Sequence, residues 1–190
     1  SIAEEFAPSE FWSGLSKGRT VRYDDLEEAV ERLGIKRIFL SSHDPCRTIG
    51  QVSVCVLYPS EEKGGDSSVV VRLSFGRVNY LLAGDIEKRA EKTLLENKIN
   101  LSSTVLKVPR HGSLTASTKE FIAAVKPRLA IFSVGYRNPF GLPREEVITR
   151  YKEAGAEVLR TDQDGAIIVE SDGEKIRYRT YKSGKRGEID

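Results

Sequence analysis

From residue 68 to residue 181 the chain alternates short β-rich runs with longer runs whose apolar residues recur at helical spacing. This alternation limits the possible folds more than any other feature. Residues 68–74 and 78–83 are β-rich and joined by Phe75-Gly76-Arg77, which predicts an antiparallel hairpin. After Gly84-Asp85, residues 86–97 place Ile86, Ala90, Leu94 and Leu95 on one stripe, the pattern of a surface helix packed on a sheet. A strand over 104–108, a helix over 117–125, a strand over 128–134, a helix over 143–154 and a short strand over 157–159 are expected next. Turns at 162–165 and 172–173 lead into strands over 166–170 and 176–181. A hairpin followed by strand–helix units predicts a mixed α/β sandwich of about ten strands and four helices.

Upstream, Leu26, Ala29, Val30 and Leu33 predict an amphipathic helix over 20–34, stopped by Gly34. Residues 35–40 read as a strand, His43-Asp44-Pro45 as a turn, 51–58 as a strand ended by Pro59, and 61–66 as a polar loop. Phe6, Phe11 and Trp12 are expected to form a patch that packs on the helix near Tyr23 or covers surface left by a missing partner segment. Residues 1–182 read as one domain and 183–190 as a frayed polar tail.

The 30 Lys+Arg and 28 Asp+Glu are interspersed, so no strongly basic field draws nucleic acid and any such contact must be local. No apolar run approaches the roughly 20 residues that cross a bilayer. The chain starts at Ser1 and lacks Met, which suggests a processed form or a fragment of a longer polypeptide. Cys46 and Cys55 do not make a disulfide framework; Cys55 reads as a buried strand residue, and a bridge between the two has little to support it. With only His43 and His111, nitrogen ligands for a catalytic zinc are scarce.

In such sheets chemistry collects on loops leaving the carboxyl ends of strands. Asp85, directly after a strand and a glycine, suits a metal-bridging carboxylate, although helix capping is the commoner use of such a residue. Pro109-Arg110-His111-Gly112-Ser113 offers an imidazole beside a guanidinium. It leads through Thr115 and Ser117 to a helix start whose N–H groups favour an anion; the plainer alternative makes His111 a turn residue and Ser117 an N-cap. Tyr136, Arg137, Asn138 and Phe140 can stack on a base or simply cover a sheet edge.

The ordered motifs Asp66-Ser67-Ser68-Val69-Val70, Leu81-Leu82-Ala83-Gly84-Asp85, Val105-Leu106-Lys107-Val108-Pro109-Arg110-His111-Gly112-Ser113, Gly141-Leu142-Pro143 and Thr161-Asp162-Gln163-Asp164-Gly165 together carry a resemblance. The chain resembles the second half of the metallo-β-lactamase-like domain of ComEC-type competence proteins. The resemblance implies an αβ/βα sandwich, incomplete on its N-terminal side, in a domain attached to a membrane channel that imports single-stranded DNA. It also implies metal-dependent phosphodiesterase or nuclease chemistry with zinc or manganese. By position, Asp85 matches the family's metal-binding aspartate and His111 the second histidine of its His-His-Gly-Ser motif.

Arg110 stands where that motif has its first histidine, and Leu142 where a Gly-His-Pro motif has another. The family's earlier cluster of histidines and aspartates has no counterpart here, either because a missing front half supplies it or because the chain is a diverged member that has lost catalysis; Arg110 and Leu142, which lie within the chain, favour the second. A guanidinium beside a cation site raises the energy of the metal-bound state. The expectation is therefore an impaired or absent metal site. Asp85 and His111 would be the remnants of catalysis, with Lys107, Arg110, Ser113 and Ser117 set to hold a DNA phosphate; a purely structural platform is the remaining alternative.

Overall fold

A computed structural model describes residues 2–14, 21–59 and 68–190. The expected loop over 61–66, Thr20, and the Asp66-Ser67 start of the first quoted motif lie outside the described residues.

The centre of the fold is a seven-stranded sheet. Its strands are β3 (Arg47–Ile49), β4 (Val52–Tyr58), β5 (Val70–Phe75), β6 (Val78–Leu82), β7 (Val105–Lys107), β8 (Leu129–Phe132) and β9 (Glu157–Arg160), in that order across the sheet. Pairing is antiparallel from β3 to β6 and parallel from β6 to β9. The change of direction follows from the connections, because the Gly76 turn joins neighbours directly whereas β6–β7, β7–β8 and β8–β9 cross over through helices. These helices are α3 (Lys88–Glu96), α4 (Lys119–Val125) and α5 (Glu145–Glu153). The expected mixed α/β sandwich is thus observed.

Strand alternation assigns the two faces. Leu81, Leu106, Ala130 and Phe132 join Ile86, Leu94, Phe121 and Tyr151 in the larger core beneath the helices. The opposite-facing Val78, Val105, Leu129 and Leu159 pack with Ile176 and Tyr178 in a second core. A three-stranded antiparallel sheet forms this other layer, made of β10 (Ile167–Ser171), β11 (Ile176–Thr180) and β12 (Arg186–Ile189). A helical turn, Thr161–Asp164, precedes it.

Two expectations are corrected here. Residues 183–190 are not a frayed tail, since Arg186–Ile189 pair with β11, and Lys185 and Ser183 reach the buried Asp164 at 2.9 and 2.7 Å. Cys46 and Cys55 do form a disulfide, joining the exposed approach to β3 to the buried face of β4. At the N-terminal side, the short helix α1 (Ile2–Phe6) precedes the strand β1 (Glu10–Ser13), which pairs in parallel with β2 (Lys36–Phe39) across the expected helix, α2 (Val21–Arg32). Arg47 stacks over Trp12 at 4.8 Å, and the Tyr23 side chain, near which the patch is expected to pack, lies outside the described residues.

Candidate functional site

The parallel neighbours β6 and β7 deliver two turns to one edge of the sheet. After β6, Ala83 and Ile86 are fully buried and bracket Gly84-Asp85. Gly84 has φ +56° and a Cβ there would lie 2.9 Å from the Val69 carbonyl, so this position requires glycine. Its carbonyl ties the turns together, accepting from the Arg110 N–H at 3.1 Å and from Lys107 Nζ at 2.9 Å.

After β7, Arg110 and His111 both adopt left-handed backbone, with φ of 45° and 54°. Such conformations are costly for residues with a Cβ and persist only where their surroundings enforce them. Gly112 follows at φ +81°, and a Cβ on it would meet Phe132 and Pro143 at 2.7 Å. Its carbonyl accepts from the Arg144 N–H at 3.0 Å, which draws the loop ahead of α5 onto the same edge.

The result is one cluster around a single carboxylate oxygen. His111 Nε2 lies 3.6 Å and Lys107 Nζ 3.7 Å from Asp85 Oδ1. His111 Nδ1 lies 2.6 Å from the Ser133 carbonyl, and since a carbonyl only accepts, Nδ1 carries the proton and Nε2 is the nitrogen turned to Asp85. Burial lowers the Lys107 pKa from its ordinary value, opposed in part by the Asp85 charge. Beside this cluster Arg110 pairs with Glu87 at 3.0 Å, and Thr115 Oγ1 donates to the same carboxylate at 3.3 Å.

Asp85, Arg110, His111 and Ser113 line a groove of about 510 Å³, joined by Leu114 and Arg144. Five of the six residues singled out in the sequence therefore meet at one edge, Lys107 through its contact with Asp85. Ser117 does not. It is fully buried, its hydroxyl bonds Tyr151 at 2.9 Å, and its N–H donates to Glu91 at 2.5 Å. The Thr118 N–H and hydroxyl donate to the other oxygen of Glu91, so the helix start expected to attract phosphate already has an internal carboxylate. The N-cap of α4 is Thr118, and that of α3 is Glu87, so neither Ser117 nor Asp85 caps a helix. Arg144 and Glu87 were not singled out in the sequence: Arg144 joins the groove, and Glu87 pairs with Arg110 beside it, through folding alone.

The residues present do not fit a zinc or manganese ion. Catalytic zinc usually takes three protein ligands and leaves one open position. Among the described residues no group of three or more His, Cys, Asp and Glu side chains is placed to hold a metal. Asp85 and His111 supply two donors, and an ammonium already stands against the carboxylate.

The mixed-sheet sandwich, with an aspartate and a histidine at the carboxyl ends of adjacent strands, agrees with the metallo-β-lactamase-like class that the motifs imply. By sequence the chain is homologous to a segment of the ComEC-type competence proteins. It is 35% identical to ComE operon protein 3 of Bacillus subtilis over 57% of this chain and 14% of that protein. It is 39% identical to Competence protein ComA of Neisseria gonorrhoeae over 58% of this chain and 17% of that protein. The chain thus spans a small fraction of the length of these relatives. No family model matches it. A solved structure from Thermotoga maritima, titled a metallo-beta-lactamase, aligns with 74% of this chain and 78% of its own at 15% identity and a TM-score of 0.35. No helix of the described residues is long and apolar enough to cross a membrane.

Proposed function

We propose that this chain is a DNA-contacting domain of a DNA-uptake protein, attached to a membrane channel portion of a longer parent, in which a former metal-dependent phosphodiesterase edge holds DNA phosphates without cutting them. The observation that carries this reading is the Asp85 carboxylate, approached by the Lys107 ammonium where metal-assisted hydrolysis would require a bound cation. Competence proteins are the sequence relatives, which supports DNA as the polymer.

The chemistry of the edge suits an anion. Lys107 pairs with Asp85 and Arg110 with Glu87, and Arg144 lines the same groove. The Arg110–Glu87 pair is about half exposed, so it is weak and exchangeable and a phosphate can replace the carboxylate on the guanidinium. Ser113 adds a hydroxyl donor on the same wall. The chain as a whole carries a net charge of only +2, so recognition must come from this local geometry.

Binding of a fluorescent oligo-dT to the chain, followed across salt concentrations with EDTA present, tests the reading. Affinity should fall as salt rises, and Arg110→Ala should weaken binding and reduce the slope of log K against log salt by about 1. An unchanged slope removes Arg110 from the interface. No binding at low salt leaves only a packing platform.

A further inference from the structure

The loop from Gly135 to Leu142 is held firmly yet displays aromatic rings to solvent. Asn138 pins it from within: its Nδ2 donates to the Gly135 and Leu142 carbonyls at 3.1 and 2.7 Å, and its Oδ1 accepts from the Leu142 N–H at 3.1 Å. Leu142 packs on the main core, and the neighbouring Arg144 N–H is bound to Gly112. On this braced loop Phe140 remains 72% exposed and Tyr136 65% exposed.

Phe140 stands between two adjoining depressions. One is the groove of about 510 Å³ that contains Asp85 and Arg110. The other, of about 440 Å³, is lined by Ser133, Val134, Gly135 and Asn138. His111, Phe140 and Leu142 border both. Cations lie close to the loop's rings: Arg110 and Arg144 line the first groove with Phe140, and Arg137 and Lys182 stand over the Tyr136 ring at 5.1 and 4.6 Å.

An exposed ring on a braced loop, sharing a groove with cations, matches the chemistry of an unpaired nucleic-acid strand, which offers base faces for stacking and phosphates for pairing. A duplex has its base faces already stacked and can use only the cations. Because the hydrogen bonds of Asn138 hold the loop, little ordering is needed when a strand arrives.

Resting on the phosphate-holding reading above, we propose that Phe140 is a stacking platform that makes this edge selective for single-stranded DNA. A strand crossing the edge lays one base on the Phe140 ring while the adjacent phosphates meet Arg110 and Arg144.

The test compares the chain with Phe140→Ala and Phe140→Trp variants, using oligo-dT, a duplex with the same number of phosphates, and inorganic polyphosphate as probes. Loss of one stacked base should weaken oligo-dT binding about tenfold in Phe140→Ala. Phe140→Trp should restore it, and the salt slope should not change. Polyphosphate affinity should be the same in all three proteins, and the duplex should bind the original chain more weakly than oligo-dT. If Phe140→Ala binds oligo-dT as before while Arg110→Ala does not, stacking is refuted and the phosphate reading stands. Equal weakening toward polyphosphate shows that the ring only supports the loop, and a duplex bound as tightly as oligo-dT removes the selectivity; either overturns the proposal. If the original chain binds neither oligo-dT nor polyphosphate, both readings fall.

Discussion

Asp85 and Glu91 lie six positions apart at the start of the same crossover, and both face the connection between β7 and α4, yet their environments are opposite. Glu91 is fully buried and accepts from the Ser117 N–H, the Thr118 N–H and the Thr118 hydroxyl, at 2.5, 2.9 and 2.7 Å. Asp85 is 54% exposed, and its two neighbours, the His111 imidazole and the Lys107 ammonium, stand at 3.6 and 3.7 Å, beyond ordinary hydrogen-bond distance. The connection therefore has a structural end, where every lone pair in use is matched to a donor, and a chemical end, where charge is left available to a ligand. Exposure together with incomplete pairing, rather than the mere presence of a carboxylate, separates the candidate site from the scaffold.

Replacing Glu91 should have the largest effect on stability. Glu91→Ala leaves three donors without a partner and frees Ser117 from its left-handed backbone, which has φ 61°. A loss of about 3–5 kcal/mol is expected from urea unfolding, with the unfolding slope unchanged. A loss below about 1 kcal/mol would erase the distinction between the two carboxylates.

Asp164 is a third carboxylate, of the saturated kind, and provides a smaller effect through pH. Burial alone would raise its pKa. Hydrogen bonds from the Arg160 N–H, Ser183 and Lys185, together with the Lys185 charge, hold it below the ordinary value of 3.8. A folded-state pKa below the unfolded one means that its contribution is complete above about 3.8 and is lost as pH falls through the lower folded value. Amide exchange in the β11–β12 pair should accelerate in that acidic window, and less so in Ser183→Ala, where one of those hydrogen bonds is already missing. Equal acid sensitivity in both proteins would show that Asp164 does not secure this strand.

Most of the central sheet was legible in the sequence because its strands and helices carry their own periodicity. The hairpin at Gly76, the stripe of Ile86, Ala90 and Leu94, and the turns at Gly84 and Arg110 all lie where the pattern places them. The misses share a physical cause. Arg186–Ile189 looks polar because one side of β12 faces solvent, and only its pairing with β11 makes it a strand. Glu91 looks like one more surface charge on an amphipathic helix, because the donors it satisfies lie 26 and 27 residues further along. Arg47–Ile49 is too short to show alternation, and the Cys46–Cys55 bridge depends on how that segment lies against β4. At the site, Asp85, Lys107, Arg110, His111 and Ser113 were readable from motif order, whereas Ser117 was misplaced because the internal anion at the start of α4 belongs to another helix.

The most direct test follows thermal unfolding of the chain and of Asp85→Asn during titration with zinc and, separately, manganese. A ion bound only by the folded state must raise the melting temperature. The account predicts no saturable rise in either protein. A saturable rise in the original chain that disappears in Asp85→Asn would show that Asp85 binds a metal despite Lys107, and would contradict the account.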